Sequence, residues 1–249
     1  VIVVVAGDCE ALTDVMIKAR EAGIKTVSYD RLIQNAGCDL YISFDNTEVG
    51  RLMARSLLEN IPDGGDIFLI QGPLTDHNVT LVREGIDETL AGSSLSVVYE
   101  SNCAGWVAEN AYTYTKEGLK QDRYVKGIIC GNDDLASQAF RALSEERLAG
   151  KVYVTGQDGD LAACQRIVEG TQEMTAFKSV EQEASMAAKC AVLLGLGEEI
   201  EEARSTAYDG TYQVPYLELQ PIAVTGENMD EVIIKGGFHA KEDVYLNVN

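Results

Sequence analysis

Apolar runs and amphipathic stretches alternate along most of this chain. It opens with Val1–Ala6, an unbroken apolar run rich in β-branched residues, which is typical of a strand covered on both faces. Glu10–Ala22 follows with apolar residues three and four positions apart, the spacing of one helical face, and Gly23 marks its end. The same pair of patterns recurs as far as Leu196. This alternation predicts right-handed β-α-β units around parallel sheets, and therefore an α/β fold.

The pattern places the elements as follows. The predicted strands are Val1–Ala6, Lys25–Tyr29, Asp39–Ser43, Asp66–Gln71, Ser94–Glu100, Gly127–Cys130, Lys151–Thr155 and Met174–Phe177. The predicted helices are Glu10–Ala22, one from Thr47 that ends before Pro62, Asn78–Leu90, Ala108–Gln121, Asp134–Glu145, Leu161–Glu169 and Val180–Leu196. Beyond Gly197 the residues predict an extended segment over Val214–Thr225, a short helix near Asn228–Val232 and a last short strand within Ile233–His239.

Polar side chains gather immediately after the predicted strands. In open parallel sheets ligands bind beyond the carboxyl ends of the strands, so these side chains form the candidate site. They include Asp30, Arg31, Asp45, Asn46, Asp76, His77, Asn78, Trp106, Asn132, Asp133, Asp158 and Lys178.

The residue types at these positions suit a neutral carbohydrate. Carboxylates, amides and guanidinium groups make paired hydrogen bonds to neighbouring hydroxyls, and the face of Trp106 suits the C–H side of a pyranose ring. Each residue also has a purely structural alternative. Asp and Asn after a strand are common helix caps and turn formers, Trp106 fits a core position, Asp30–Arg31 fits a structural ion pair, and Lys178 fits the surface. The hypothesis rests on their shared position.

The same stretches argue against catalysis. They contain no serine or cysteine nucleophile with a plausible partner base, and the chain has 2 histidines, His77 and His239. There is no GxGxxG or phosphate-binding loop motif, and the cysteines and histidines lack metal-ligand spacing. We therefore expect no catalytic residue, no metal, no cofactor and no enzymatic activity.

Charge and cysteine content narrow the partners. The chain carries 20 Lys+Arg against 40 Asp+Glu, a net charge of −20, which argues against nucleic acid and anionic membranes. No run of 18 apolar residues is present, and Val1–Ala6 lacks the flanks of a signal peptide. The 6 cysteines lie far apart in apolar surroundings, where we expect small buried hydrophobes; Cys9 with Cys38 is the disulfide pair to test.

At the candidate positions the sequence resembles the ribose/galactose-type periplasmic binding proteins of bacterial ABC importers, and within them the group that takes up D-xylose. The resemblance covers essentially the whole chain. The matching stretches are Tyr29–Ile33, Tyr41–Asn46, Val49–Gly50, Ala104–Trp106, Glu109–Ala111, Gly156–Asp158, Asp160–Ala162, Gly170–Gln172, Met174–Thr175, Lys178 and Ile234–His239.

The resemblance implies a type I periplasmic binding protein fold, with two Rossmann-like lobes that contain parallel sheets, are joined by a hinge and enclose a sugar between them. Residues 1–45 and 181–211 would form the first lobe, and residues 46–180 and 212–249 the second. Asp30 and Arg31 would contact the sugar from the first lobe. The contacts implied for the second lobe are His77, Asn78, Trp106, Asn132, Asp158 and Lys178. His77 departs from the family pattern, which has Asn at that position.

Family members carry about two further β-α units, roughly 60 residues at about 30 per unit, before the unit that opens this chain. The first lobe is therefore expected to be incomplete, with a sheet edge that a homodimer or another partner would cover. The signal or anchor segment is likewise expected to lie outside this chain.

The function implied is an extracytoplasmic receptor that captures D-xylose or a related aldose for an ABC permease. The alternative is a sugar-sensing module that signals to a membrane histidine kinase. A repressor domain would need a helix-turn-helix, which the sequence lacks. A sugar-processing enzyme is the least favoured class.

Overall fold

The computed structural model describes residues 1–248 and follows the alternating pattern closely. The strands are β1 (Ile2–Val4), β2 (Thr26–Tyr29), β3 (Leu40–Phe44), β4 (Gly65–Gln71), β5 (Leu95–Asn102), β6 (Gly127–Cys130), β7 (Tyr153–Gln157), β8 (Met174–Phe177), β9 (Ser205–Tyr208), β10 (Gln213–Leu219) and β11 (Ile222–Val224). The helices are α1 (Thr13–Glu21), α2 (Asn46–Asn60), α3 (His77–Leu90), α4 (Glu109–Gln121), α5 (Asp133–Glu145), α6 (Leu161–Val168), α7 (Val180–Leu196) and α8 (Lys241–Val244). A 3-10 turn covers Ala104–Trp106, and a short π-helix covers Asp230–Ile234.

The chain forms two compact units, each built from several stretches. Unit 1 contains Val1–Asn46, Thr75–Thr80 and Ser179–Pro221, and unit 2 contains Thr47–Leu74, Leu81–Lys178 and Ile222–Asn249. Residues 212–221, expected in the second lobe, lie in unit 1 because β10 pairs with β3 along Tyr216–Leu219.

The sheet of unit 1 has the strand order β1-β2-β3-β10-β9. The pairs β1–β2, β2–β3 and β3–β10 are parallel, and β9 is antiparallel to β10. Leu40, Ile42 and Phe44 of β3 pack with Ala187 and Cys190 of α7 in one apolar cluster. The opposite face packs around Met16 of α1, so each side of this sheet has its own core.

The edge strand β1 is less covered than its sequence predicts. The strand itself is confirmed, but Val1, Val3 and Val5 are 49%, 43% and 54% exposed, so the expectation of burial on both faces is wrong. Within residues 1–248, β1 pairs on one side only, with β2. Its apolar composition therefore leaves an exposed apolar edge on unit 1.

The sheet of unit 2 has the order β11-β8-β7-β6-β4-β5, parallel throughout except for β11. Phe68 and Ile70 of β4 pack into one apolar cluster, and their neighbours Ile67 and Leu69 pack into another. This central strand is covered on both faces, as its unbroken apolar run predicts. The parallel strands β5, β6, β7 and β8 have their carboxyl ends at one edge of this sheet, and the predicted site residues Trp106, Asn132, Asp158 and Lys178 follow them.

The structure departs most from the prediction after α7. Strand β9 was not predicted; it is short and largely exposed, so it has no continuous apolar run. Ile233–His239 was expected to hold a strand, but these residues form the end of the π-helix and turns. Ile233 is fully buried among Cys164, Val224 and Met229, so its apolar character reflects helix packing rather than a strand.

Candidate functional site

In unit 1, the predicted pair Asp30–Arg31 lies directly after β2 and is held by a third side chain. Arg31 donates through Nε to Oδ2 of Asp76 at 2.6 Å, and its Nη1 lies 3.1 Å from Oδ2 of Asp30. The Asp76 side chain is 1% exposed and also accepts the backbone N–H of Asn78 at 3.0 Å. Two carboxylates and one guanidinium therefore form a compact charged cluster at the carboxyl end of β2.

Asp30 holds a backbone conformation that is costly for a residue with a side chain. Its φ is 61°, in the left-handed region, where an L residue is disfavoured by about 1–2 kcal/mol. Neighbouring groups hold it there. Its carbonyl accepts from the Ser43 hydroxyl at 2.7 Å and from Nδ2 of Asn78 at 3.0 Å, and its N–H donates to Ile42 O at 2.8 Å. Such outliers concentrate at functional positions.

Asn78 and His77 lie in unit 1 with Asp30, whereas the family resemblance placed them in the second lobe. The reason is local: Asn78 bonds to Asp30, and the His77 backbone N–H donates to Sγ of Cys9 at 2.9 Å. The Oδ1 atom of Asn78 is buried and has no hydrogen-bond partner among residues 1–248. A ligand hydroxyl would satisfy it. The side chain of His77 is half-buried.

In unit 2, Asp158 and Lys178 follow neighbouring strands, β7 and β8, and face each other. Lys178 Nζ lies 3.3 Å from Oδ1 of Asp158, with the two side chains 13% and 39% exposed. Asp158 has a φ of 101°, again in a region that disfavours any residue but glycine. Within each unit, therefore, an aspartate in a strained conformation is paired with a basic side chain at the carboxyl ends of parallel strands.

Trp106 packs over two glycines at the carboxyl edge of the same sheet. A Cβ atom at Gly72 would overlap the ring carbons of Trp106, and one at Gly131 would lie 3.2 Å from Cζ3. The ring also packs against the apolar cluster around Phe68, yet the residue is only half-buried and has a φ of 57°. The sequence left Trp106 as either a core residue or a surface for a sugar ring. In the structure one part of the ring packs in the core, and the rest is accessible.

Asn132 serves as the N-cap of α5, which is the structural role that the sequence left open. Its Oδ1 accepts the backbone N–H of Leu135 at 2.9 Å. The amide Nδ2 is then the atom that would donate to a ligand oxygen.

The structure also gives roles to two aspartates that the sequence placed only as loop residues, Asp76 and Asp133. Asp133 is completely buried at the start of α5. Burial raises its pKa to about 7, while hydrogen bonds from Thr175 and Gln172 lower it. Their position after a strand was visible in the sequence, but their burial and partners depend on segments distant in the chain.

Three further properties bear on the possible chemistry. In the described part of the chain, no group of three or more His, Cys, Asp or Glu side chains is placed to hold a metal ion. No helix within residues 1–248 is both long and apolar enough to cross a bilayer. All 6 cysteines are buried free thiols, so Cys9 and Cys38 are not bonded to each other.

Comparison with known proteins identifies the family. A family model described as a periplasmic binding protein domain matches residues 1–199. The chain belongs to the periplasmic binding protein family. The D-xylose-binding periplasmic protein of Haemophilus influenzae is 41% identical over 98% of this chain and 75% of its own length. The protein of the same name in Escherichia coli is 37% identical over 98% of this chain and 75% of its own.

Solved structures agree on the fold of this periplasmic binding protein. An ABC transporter solute binding protein from Clostridium phytofermentans, with bound β-D-glucose, matches with a TM-score of 0.88 at 24% identity. The match covers 97% of this chain and 81% of that one. The expected type I periplasmic binding protein fold is therefore confirmed.

Proposed function

We propose that this periplasmic binding protein binds one neutral aldose, D-xylose or a close relative. The observation that carries the proposal is the repeated arrangement of Asp30 with Arg31 and of Asp158 with Lys178. Each pair offers a carboxylate acceptor beside a cationic donor, which suits the neighbouring hydroxyls of a sugar. The 41% identity to a D-xylose-binding periplasmic protein supports the choice of sugar.

The charges of the two clusters favour a neutral ligand over an acidic one. Arg31 is already paired with Asp30 and Asp76, and Lys178 is paired with Asp158. A carboxylate or phosphate on the ligand would compete with these aspartates and would meet like charge. A hydroxyl can instead donate to the carboxylate and accept from the cation, so both charges stay paired.

We propose that the protein binds the sugar without converting it. No residue of either cluster is arranged as a nucleophile beside a general base within the described chain, and the relatives named above are binding proteins. Incubation with D-xylose followed by NMR should return the sugar unchanged. Appearance of a new sugar species would indicate an enzyme instead.

The proposed partner is an ABC permease, and the proposed location is outside the cytoplasmic membrane. Family membership and the solute binding protein from Clostridium phytofermentans support both. Nothing in these relatives' names points to the alternative partner, a membrane histidine kinase.

We further propose that the apolar edge of β1 self-associates when nothing else covers it. Val1, Ile2, Val3 and Val5 are all exposed there. A second copy would pair the edge and bury these side chains. Light scattering of the 249-residue chain at micromolar concentration should show a dimer, and Val3→Lys should return it to a monomer. A monomer of 27.0 kDa with full sugar affinity would contradict this proposal.

The sugar proposal is tested by calorimetric titration with three related ligands. D-Xylose and D-glucose differ by one hydroxymethyl group, and D-glucuronate carries a carboxylate in its place. We expect saturable one-to-one binding of D-xylose, and at least about tenfold weaker binding of D-glucuronate than of D-glucose, a difference of about 1.4 kcal/mol. Absence of binding to both neutral sugars would overturn the proposal, and so would preference for D-glucuronate.

A further inference from the structure

The turn that carries Asp158 is tied to the protein interior by the carboxylate of Asp133. Oδ2 of Asp133 accepts the backbone N–H groups of Gly159 at 3.0 Å and Asp160 at 3.1 Å. The same oxygen accepts the Thr175 hydroxyl at 2.7 Å, and Oδ1 accepts from Gln172 Nε2 at 3.0 Å. One buried carboxylate therefore holds the turn that follows β7 and a residue within β8.

These contacts bear on the two residues of the unit 2 pair. Asp158 immediately precedes Gly159, whose N–H is bound, and Lys178 immediately follows β8, which contains Thr175. The Thr175 hydroxyl also accepts from the Gly159 N–H at 3.1 Å, so the turn and the strand are bonded to each other as well as to Asp133. The relative placement of the Asp158 carboxylate and the Lys178 ammonium depends on this shared anchor.

Gln172, which bonds to the Asp133 carboxylate, is itself held by further side chains. Gln172 accepts from Nε of Arg166 at 2.9 Å, and Arg166 donates through Nη1 to the Ser137 hydroxyl at 2.9 Å. Arg166 and Gln172 are buried, and Asp133 has no exposed surface. A group with no exposed surface acts on a ligand only through residues that it orients.

We propose that Asp133 is a positioning residue for sugar binding, one that holds Asp158 in its strained conformation and aims its carboxylate. The inference rests on the proposed sugar function. Asp158 has a positive φ of 101°, and a residue other than glycine keeps such a conformation only when the surroundings hold it. The hydrogen bonds from Gly159 and Asp160 to Asp133 supply that hold.

Asp133→Asn is the direct test, because it keeps the shape and removes one acceptor. The amide must turn its Nδ2 either toward the N–H groups of Gly159 and Asp160 or toward Nε2 of Gln172. In either orientation the Nδ2 donor faces another hydrogen-bond donor. We expect D-xylose to bind about tenfold or more weakly to this variant. In an Asp158→Asn background, which keeps one acceptor oxygen, the same substitution should cost a smaller factor than in wild type, because the part of its effect that passes through the Asp158 carboxylate is already lost.

Thr175 provides a second test if Asp133→Asn fails to fold. Thr175→Val removes the hydroxyl that bonds to Asp133 and Gly159 at nearly constant volume, whereas Thr175→Ser keeps it. If Asp133 positions Asp158, D-xylose should bind weakly to the valine variant and with near wild-type affinity to the serine variant. Equal affinity of the two variants would overturn it.

Asp209 offers a matched control. It is a fully buried carboxylate that accepts backbone N–H groups from Ala36, Gly37, Thr211 and Tyr212, near the amino end of β10. Asp209→Asn should lower the thermal midpoint and leave the D-xylose dissociation constant unchanged. If wild-type protein binds no sugar, the proposed function fails. If wild type binds and Asp133→Asn binds equally well, or loses the same factor in the Asp158→Asn background, the positioning role fails.

Discussion

Arg31 donates through Nε to Oδ2 of Asp76 at 2.6 Å, and this carboxylate is almost wholly buried. Asp30 meets the same guanidinium at Nη1. The direction of the guanidinium is therefore fixed by two carboxylates before any ligand arrives. Such preorganisation reduces the entropy lost when the ligand binds.

Asp76→Asn should weaken D-xylose binding by about tenfold or more. The substitution replaces a charge-assisted hydrogen bond, worth about 1.5–3 kcal/mol, and lets Arg31 move. Asp39→Asn is the control, because Asp39 of the same unit pairs with the exposed Lys25 at 2.6 Å. Calorimetry should show the loss only for Asp76→Asn; equal losses in both variants would mean that Arg31 is not oriented through Asp76.

Asp158→Ala should abolish measurable binding and leave the fold intact. Two charge-assisted hydrogen bonds to sugar hydroxyls, at about 1.5–3 kcal/mol each, correspond to a hundredfold or more in affinity. Asp158→Gly should lose binding equally but should unfold at a higher temperature than the alanine variant, because glycine adopts a φ of 101° more readily.

The control for Asp158 is the surface pair of Asp230 with Lys241, at 2.6 Å in the same unit. Asp230→Asn should bind sugar like wild type. Near wild-type affinity in Asp158→Ala would remove Asp158 from the site.

The order of strands and helices was predictable from the sequence as far as Leu196, because each element has its own apolar period. The candidate residues were also visible, since strand carboxyl ends follow from that order. Which of these residues lie together in the structure was not predictable from the sequence. Asn78 lies with Asp30 because of a hydrogen bond between residues distant in the chain, and the role of Asp133 depends on Gln172 and Thr175. The exposure of β1 depends on which neighbours flank it, and its composition does not encode that.

Gly72→Ala should weaken sugar binding by displacing Trp106. The added methyl group would overlap the indole ring, and overpacking of this kind costs about 1–3 kcal/mol. The emission maximum of the free protein should shift because the indole ring is displaced. Trp106 is the single tryptophan of the chain, so the tryptophan emission reports on this ring.

Gly226→Ala serves as the control for this variant, since the nearest atom to its added methyl group is Ile167 O at 3.9 Å. It should leave both emission and affinity unchanged. Wild-type emission and affinity in Gly72→Ala would show that the contact of Trp106 with Gly72 does not position the ring for sugar.

The thiols should be inert in the native protein. Burial raises the pKa of all of them, that of Cys103 to about 11 and that of Cys164 to about 12. A raised pKa means a smaller thiolate fraction, so at pH 8 a thiol-specific reagent should react slowly, and faster as the pH rises. After denaturation without reductant it should count 6 thiols. A count of 4 would reveal a disulfide.

The central claim, that this chain binds an aldose, is tested most directly by a thermal melt followed through Trp106 emission with and without D-xylose. Ligand at about 100 times its dissociation constant adds about 2.7 kcal/mol to the free energy of unfolding. For a chain of this size that should raise the thermal midpoint by about 5–10 °C. L-Xylose, with the same composition and opposite handedness, should give a smaller shift. An unchanged midpoint together with unchanged emission at saturating D-xylose would contradict the account.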